Sequence, residues 1–207
     1  RGFCDRLAGQ GMAVLAPDLY KGATAATIEQ AEKLRGRLKR EDAMREITRA
    51  AEELQSRADG GTTGIGVVGF SLGGYYALRL AEQPAVPVAA TAVFYGSRGG
   101  EYTSSRSAFQ FHLAETDPYV SASGAKSLQK SLKKAGREAE FHVYPGTSHW
   151  FFESDRPEAY QAEAPTLWDV TFRTAVAQAE LEDPCGDDFP ANRQACKGKS
   201  KLPRSRE

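Results

Sequence analysis

A glycine-flanked serine between a predicted strand and a predicted helix constrains the fold more than any other feature. Residues 65–70 form a short apolar run typical of a buried strand, and residues 72–83 have the apolar spacing of a helix. The junction reads Gly69-Phe70-Ser71-Leu72-Gly73. A turn this tight leaves no room for bulky neighbours, which predicts that both flanking glycines are required and that Ser71 is exposed.

Short apolar strands alternate with helices along most of the chain. This alternation predicts an α/β fold with a mostly parallel sheet and helices on both faces. We assign one domain to residues 1–181 and a polar, mobile tail to residues 182–207. The predicted strands cover residues 12–16, 65–70, 86–95, 109–114 and 140–144; the predicted helices cover residues 1–11, 25–57 with a break near 36–42, 72–83, 123–135 and 157–181.

The charge balance and the apolar content limit the classes of partner. The 27 basic residues match the 27 acidic ones, so no overall charge attracts nucleic acid or an anionic membrane. No apolar run approaches the ~18 residues that a membrane span needs. Three cysteines form neither a disulfide framework nor a spaced metal site. We therefore expect a cytoplasmic monomer that acts on a small molecule.

A serine needs a base to become a nucleophile at neutral pH, and the chain has three histidines. His112 and His142 lie within predicted strands, which favours half-buried structural histidines with a backbone partner. His149 instead follows a strand, in a loop. Because sheets of this kind carry their catalytic groups in loops at strand ends, His149 is the predicted base for Ser71.

The base in turn needs an orienting carboxylate. Asp117 closely follows the fourth predicted strand and gives the chain order serine, acid, histidine expected for this chemistry. Asp18 also follows a strand, but it precedes the serine, and we expect it to cap a turn. Asp155 comes after the histidine and is predicted to cap the last helix. Asp117 is therefore the predicted acid.

Several motifs together resemble one known family. They are Gly69-Phe-Ser-Leu-Gly-Gly74, Ala92-Val-Phe-Tyr-Gly96, Glu115-Thr-Asp-Pro-Tyr-Val120, Tyr144-Pro-Gly-Thr-Ser-His-Trp-Phe151 and Ala16-Pro-Asp-Leu-Tyr20. Together they are similar to the dienelactone hydrolase family of α/β-hydrolases. The resemblance implies a hydrolase of small esters and lactones that needs no cofactor.

Two departures qualify that resemblance. Founding members of the family use a cysteine nucleophile, and Ser71 in its place favours a broader carboxylesterase. The family also has strands before the helix at which this chain begins, and one of them leads to a loop that supplies the second oxyanion donor. Leu72 provides the first donor, and the second has no counterpart here. Since the chain begins at Arg1, we expect a hydrolase that lacks its N-terminal strands.

The predicted function is thus a serine-dependent hydrolase of small carboxylic esters or lactones. Tyr75, Tyr95 and Trp150 are candidate pocket residues, with ordinary core packing as the alternative. The sequence Gly64-Ile-Gly-Val-Val-Gly69 fits a dinucleotide fingerprint, but its glycines lie within the strand itself, which argues against that site. Two other functions stay open: a catalytically weak or inactive binding domain, and a peptidase or acyltransferase that uses the same three residues.

Overall fold

The computed structural model describes residues 2–57 and 64–161, and its centre is a four-stranded parallel sheet. The strands are β1 (Ile65–Phe70), β2 (Val88–Phe94), β3 (Ala108–Thr116) and β4 (Ala139–Ser148), and they lie side by side in that order. The described helices are α1 (Gly2–Ala8), α2 (Ile28–Arg37), α3 (Arg40–Arg57), α4 (Leu72–Ala81) and α5 (Ala122–Lys134).

The buried apolar residues of the strands belong to two hydrophobic clusters. The larger cluster packs the strands against α3, α4 and α5, with Val93 of β2 among its members. The smaller one contains Phe94, the next residue of β2, together with Leu7 of α1. Because successive side chains of a strand point to opposite faces, the two clusters cover the two faces of the sheet. This confirms the prediction of a parallel sheet with helices on both faces.

Most predicted strands and helices overlap the observed ones closely, but the predicted strand over residues 12–16 is wrong. In the described part of the chain, β1 pairs only with β2, so this segment has no ladder partner. Met12 and Val14 still pack on the smaller cluster, whereas Leu15 is 37% exposed. Residues 12–16 therefore form an extended segment that packs on the core without the hydrogen bonds of a strand.

The end of the described chain also differs from expectation. The sequence predicts a helix from Pro157, but residues 157–159 form a turn in which the Ala159 and Tyr160 N–H groups both donate to the carbonyl of Arg156. The rest of the predicted helix and the predicted mobile tail lie outside the described residues. No helix in the described part of the chain is long and apolar enough to cross a membrane.

Candidate active site

The turn between β1 and α4 holds Ser71 in a conformation that residues with side chains rarely adopt. Its φ is 51°, in the left-handed region, and its N–H donates to the carbonyl of Phe94 at 3.0 Å. Tyr95 (φ 36°) and Trp150 (φ 70°) also have positive φ. Three of the four non-glycine residues of this kind in the described chain therefore lie around one site, as is common where function imposes backbone strain.

The glycines of this turn do not contribute equally. A Cβ on Gly69 would lie 2.5 Å from the carbonyl oxygen of Gly73, and a Cβ on Gly74 would lie 2.7 Å from Val93 Cγ1. A Cβ on Gly73 would meet nothing within 4 Å. The expectation that Gly73 must lack a side chain is therefore wrong, because its Cα faces open space. The steric requirement belongs to Gly69 and Gly74.

His149 lies between the other two residues predicted to work with it. Its Nδ1 is 2.8 Å from Asp117 Oδ2, and its Nε2 is 3.0 Å from Ser71 Oγ. A carboxylate only accepts hydrogen bonds, so Nδ1 of the neutral ring carries the proton and Nε2 is free to accept from the serine hydroxyl. The side chains of His149 and Asp117 are each 3% exposed, so water competes little for this contact.

Asp117 is itself fixed by the loop that follows β3. Its Oδ1 accepts the N–H groups of Tyr119 at 2.8 Å and Val120 at 3.0 Å, which leaves Oδ2 for His149. The end of β4 is tied to the same place, because the N–H of Gly146 donates to Glu115 Oε2 at 2.9 Å. The carboxyl ends of β3 and β4 therefore hold the acid and the histidine at a fixed separation.

The other candidates from the sequence take structural positions. Asp18 accepts the N–H groups of Tyr20 and Gly22, so it caps a turn as predicted. His112 is buried, but its partners are the Tyr144 hydroxyl at 2.7 Å and Gln110 Oε1 at 2.9 Å, so the expected backbone partner is wrong.

The environment of His112 disfavours its charged form. Burial, with a smaller contribution from the charge of His142, lowers the pKa of His112 to about 3. His142 is partly exposed beside Glu140 and does not contact Ser71 or Asp117. Neither histidine is therefore placed to act on Ser71, the role that the sequence predicts for His149.

The candidate pocket residues divide between the site and the scaffold. The ring centroids of Tyr95 and Trp150 lie 4.7 Å and 5.0 Å from that of His149, although Tyr95 is wholly buried. Tyr75 follows Ser71 by one turn of α4, and its ring contacts the guanidinium groups of Arg40 and Arg98.

Leu72 is the first residue of α4, the position required of an oxyanion donor.

Three neighbours of the site were missed by sequence reasoning. Tyr119 is 56% exposed, and its ring centroid lies 4.7 Å from that of His149. Glu153 and Arg156 belong to the turn that follows Trp150 and contact Tyr95 and Trp150. The only available indication was the position of these polar and aromatic residues soon after Asp117 and His149.

No group of three or more His, Cys, Asp or Glu side chains within the described ranges is placed to hold a metal ion.

A cavity of about 420 Å³ opens away from the candidate site, between residues 19–21 and helices α2 and α3, and none of Ser71, Asp117 and His149 lines it. The chemistry that the site itself offers is that of the three hydrogen-bonded side chains.

Comparison with known proteins decides the family. The profile of the dienelactone hydrolase family matches residues 1–174. The chain belongs to this family. A candidate carboxymethylenebutenolidase of Aquifex aeolicus (strain VF5) is 29% identical over 175 residues, which cover 81% of this chain and 76% of that protein. A candidate dienelactone hydrolase from Klebsiella pneumoniae subsp. pneumoniae MGH 78578 superposes with a TM-score of 0.73 at 22% identity, covering 86% of this chain and 80% of that one. The α/β-hydrolase fold and the hydrolase family predicted from the sequence are confirmed.

A second kind of match is short. A stretch of 28 residues, 14% of this chain, is 93% identical to part of the valine–tRNA ligase of Thermobifida fusca (strain YX) and covers 3% of that enzyme. A segment of this size does not extend the ligase activity to this dienelactone hydrolase family member.

Proposed function

We propose that this hydrolase cleaves small carboxylic esters or lactones through a covalent acyl-enzyme on Ser71. The observation that carries the proposal is the continuous hydrogen-bonded series from Ser71 Oγ through both ring nitrogens of His149 to Asp117. This is the arrangement that nucleophilic acyl transfer requires, because it joins a nucleophile to a base and the base to an orienting acid.

The proposed reaction has two halves. As Ser71 Oγ attacks the carbonyl carbon, its proton passes to His149 Nε2, and the Leu72 N–H stabilises the oxyanion at the start of α4. The imidazolium then protonates the leaving alcohol oxygen as the ester bond breaks. Water, deprotonated by the same nitrogen, attacks the acyl-serine, and the imidazolium then returns the proton to Ser71 Oγ as the acyl–oxygen bond breaks and the acid leaves. Asp117 stays ionised throughout and stabilises the imidazolium.

The substrate class is supported by a relative and by the chemistry of the bond. The name of the Aquifex aeolicus relative, a candidate carboxymethylenebutenolidase, refers to a lactone. A lactone is an internal ester, so the same attack opens its ring and leaves the alcohol attached to the acyl group. The proposed substrates therefore include both short esters and small lactones.

A fluorophosphonate probe tests the nucleophile directly. We expect stoichiometric labelling of the protein, and none of a Ser71→Ala variant, which should lose esterase activity by about 10⁴–10⁶-fold while keeping its fold. Absence of labelling in a folded sample would instead support a ligand-binding domain without catalysis. Activity of Ser71→Ala within a few-fold of the parent would show that another residue is the nucleophile.

A panel of short p-nitrophenyl esters and small lactones tests the substrate class. We expect turnover of both, with kcat/KM falling as the acyl chain lengthens. Hydrolysis of peptide substrates alone, or acyl transfer to an added alcohol in preference to water, would contradict the proposed carboxylesterase and favour a peptidase or an acyltransferase.

A further inference from the structure

The turn that follows His149 contains a charged group whose contacts lead back to the imidazole along two routes. Tyr95 donates its hydroxyl hydrogen bond to Glu153 Oε1 at 3.0 Å. Arg156 donates from Nε to Glu153 Oε2 at 3.3 Å, and its guanidinium carbon lies 4.4 Å from the centroid of the Trp150 ring. Both Tyr95 and Trp150 contact His149. Glu153 thus joins two rings that pack on the same imidazole.

The imidazole needs this support because Asp117 fixes only one of its atoms. The contact between Asp117 Oδ2 and Nδ1 sets the distance to the acid, but it leaves the ring free to tilt about that contact. A tilt moves Nε2 away from Ser71 Oγ, which lies 3.0 Å from it. The packing of neighbouring rings is what limits such a tilt.

The neighbouring rings differ in how firmly they are held. Tyr119, on the solvent side, is 56% exposed and less restrained by packing. Tyr95 is wholly buried, and burial together with Glu153 raises the pKa of its phenol, so the hydroxyl stays protonated as a donor. Trp150 has a φ of 70°, and its carbonyl accepts the N–H of Glu153 at 2.9 Å, which closes the turn.

The exposure of the ion pair argues against a purely stabilising role. The side chains of Arg156 and Glu153 are 33% and 32% exposed, so water partly screens the ion pair and reduces its contribution to folding stability. The contacts of this partly exposed pair with both rings beside His149 point to an effect on the site as well as on stability.

We propose that Glu153 is a positioning residue, which holds His149 Nε2 in line with Ser71 Oγ through Tyr95 on one side and through Arg156 and Trp150 on the other. This assignment rests on the proposed acyl-transfer function. It concerns the orientation of the base and adds no step to the reaction.

The first test separates kcat from KM. Because a misplacement of about 1 Å costs on the order of 10²-fold in rate, Glu153→Ala should lower kcat on p-nitrophenyl acetate by about 10–100-fold. KM should stay within about two-fold, since no substrate contact is removed. Glu158→Ala, which removes the same charge from an exposed position in the neighbouring turn, is the matched control and should leave both constants unchanged. An unchanged kcat in folded Glu153→Ala, or an equal loss in the control, would overturn the assignment.

Two further variants distinguish positioning from loss of folding. Glu153→Gln keeps an oxygen that accepts the Tyr95 hydroxyl, so it should recover part of the lost kcat. Tyr95→Phe keeps the buried ring and removes only the hydroxyl, and should reproduce the loss of Glu153→Ala on that route. The double variant should be little worse than Glu153→Ala alone. Additive losses, or losses that follow the melting temperature, would indicate a structural role and overturn the assignment.

An NMR measurement keeps the outcome independent of turnover. In the folded parent protein, the Nδ1 proton of His149 should give a resolved downfield resonance from its bond to Asp117. Glu153→Ala should broaden or shift this resonance and Glu158→Ala should not. If the parent neither hydrolyses esters nor reacts with fluorophosphonate, the proposed function fails, and the resonance alone decides the positioning role. An unaltered resonance in Glu153→Ala would overturn that role even in an active enzyme.

Discussion

The two carboxylate oxygens of Asp117 have different partners: Oδ1 accepts backbone N–H groups of its own turn, and Oδ2 contacts His149. Substitution by an amide would keep the first contact and change the second. In Asp117→Asn, the amide oxygen can still accept the N–H groups of the turn, but the NH₂ group would face His149 Nδ1 and favour the tautomer that cannot accept from Ser71. We therefore expect this substitution to lower kcat by roughly 10⁴-fold with little change in stability. The measurement is ester hydrolysis beside the melting temperature.

Asp18→Asn is the control for this prediction. Asp18 also accepts two backbone N–H groups in a turn, from Tyr20 and Gly22. It should therefore lose a comparable amount of turn stability and keep its activity. A large loss in Asp18→Asn together with an active Asp117→Asn would mean that the acid has been assigned to the wrong residue.

His112 makes folding sensitive to acid. Its pKa is lowered from an ordinary 6.5 to about 3, first by burial and then by the charge of His142. Between these values the unfolded chain binds a proton at His112 and the folded chain does not, so stability falls as the pH is lowered. In this range the unfolded state binds nearly one proton more at His112 than the folded state does. The free energy of unfolding therefore falls by up to about 1.4 kcal/mol for each pH unit.

The acid dependence can be measured by urea unfolding at several pH values from 6 to 4. His112→Gln, which has no titrating group, should show a slope shallower by nearly one proton than the parent. The carboxylates titrate in both proteins, so they cancel in the difference. Equal slopes would show that His112 is protonated in the folded state or accessible to water.

At the residue level, the sequence predicted which polar groups meet but not what packs on them. Ser71, Asp117 and His149 each follow a predicted strand, and the carboxyl ends of parallel strands meet at one edge of the sheet. The contacts of Tyr95 and Glu153 depend on the path of the chain after Trp150. A left-handed conformation at a tryptophan has no local sequence pattern, so this path could not be read from the residues.

The turn between β1 and α4 depends on two glycines, Gly69 and Gly74, and has room for a side chain at the third, Gly73. Gly69→Ala would place a methyl group 2.5 Å from a backbone oxygen, which cannot move without displacing Ser71. We expect a loss of about 1–3 kcal/mol in the free energy of unfolding and a lower kcat. Gly73→Ala has open space and should leave stability unchanged or raise it by up to about 1 kcal/mol, because alanine favours the helix.

Chemical unfolding and steady-state kinetics of the two alanine variants check this prediction. The two substitutions add the same methyl group to two glycines of one motif, Gly69 near the end of β1 and Gly73 in the first turn of α4. If Gly73→Ala is destabilised as much as Gly69→Ala or more, Gly73 has the steric requirement that the motif predicts for both glycines.

The predicted strands and helices match the structure best where strands pair with one another, and least well near the two ends of the described chain. The strands β1 to β4 are apolar runs that pair with each other, so local pattern and tertiary pairing agree. Residues 12–16 have the same pattern, but pairing is a non-local property, and the described chain provides no partner. At Pro157, a proline suited to a first helical turn instead lies in a turn closed on Arg156.

At the scale of the whole molecule, the two faces of the sheet contribute differently to stability and to the site. The larger cluster joins α3, α4 and α5 to the strands and contains most of the buried apolar side chains of the described chain. The smaller cluster contains Tyr95 and Phe151, so it is continuous with the surroundings of His149. Stability should therefore depend mainly on one face, and alignment of the base on the other.

Leu132 and Phe151 provide a test of this division, because both are wholly buried but in different clusters. Leu132→Ala leaves a cavity beneath α5 and should cost about 2–5 kcal/mol, with kcat unchanged in the folded protein. Phe151→Leu conserves more volume and should cost less than about 1.5 kcal/mol. It removes the ring packed on Tyr95 at 5.4 Å, however, and so should lower kcat. Urea unfolding and ester kinetics at a temperature where both variants are folded decide the matter. Equal losses of kcat would mean that the sheet transmits disturbance from either face to His149.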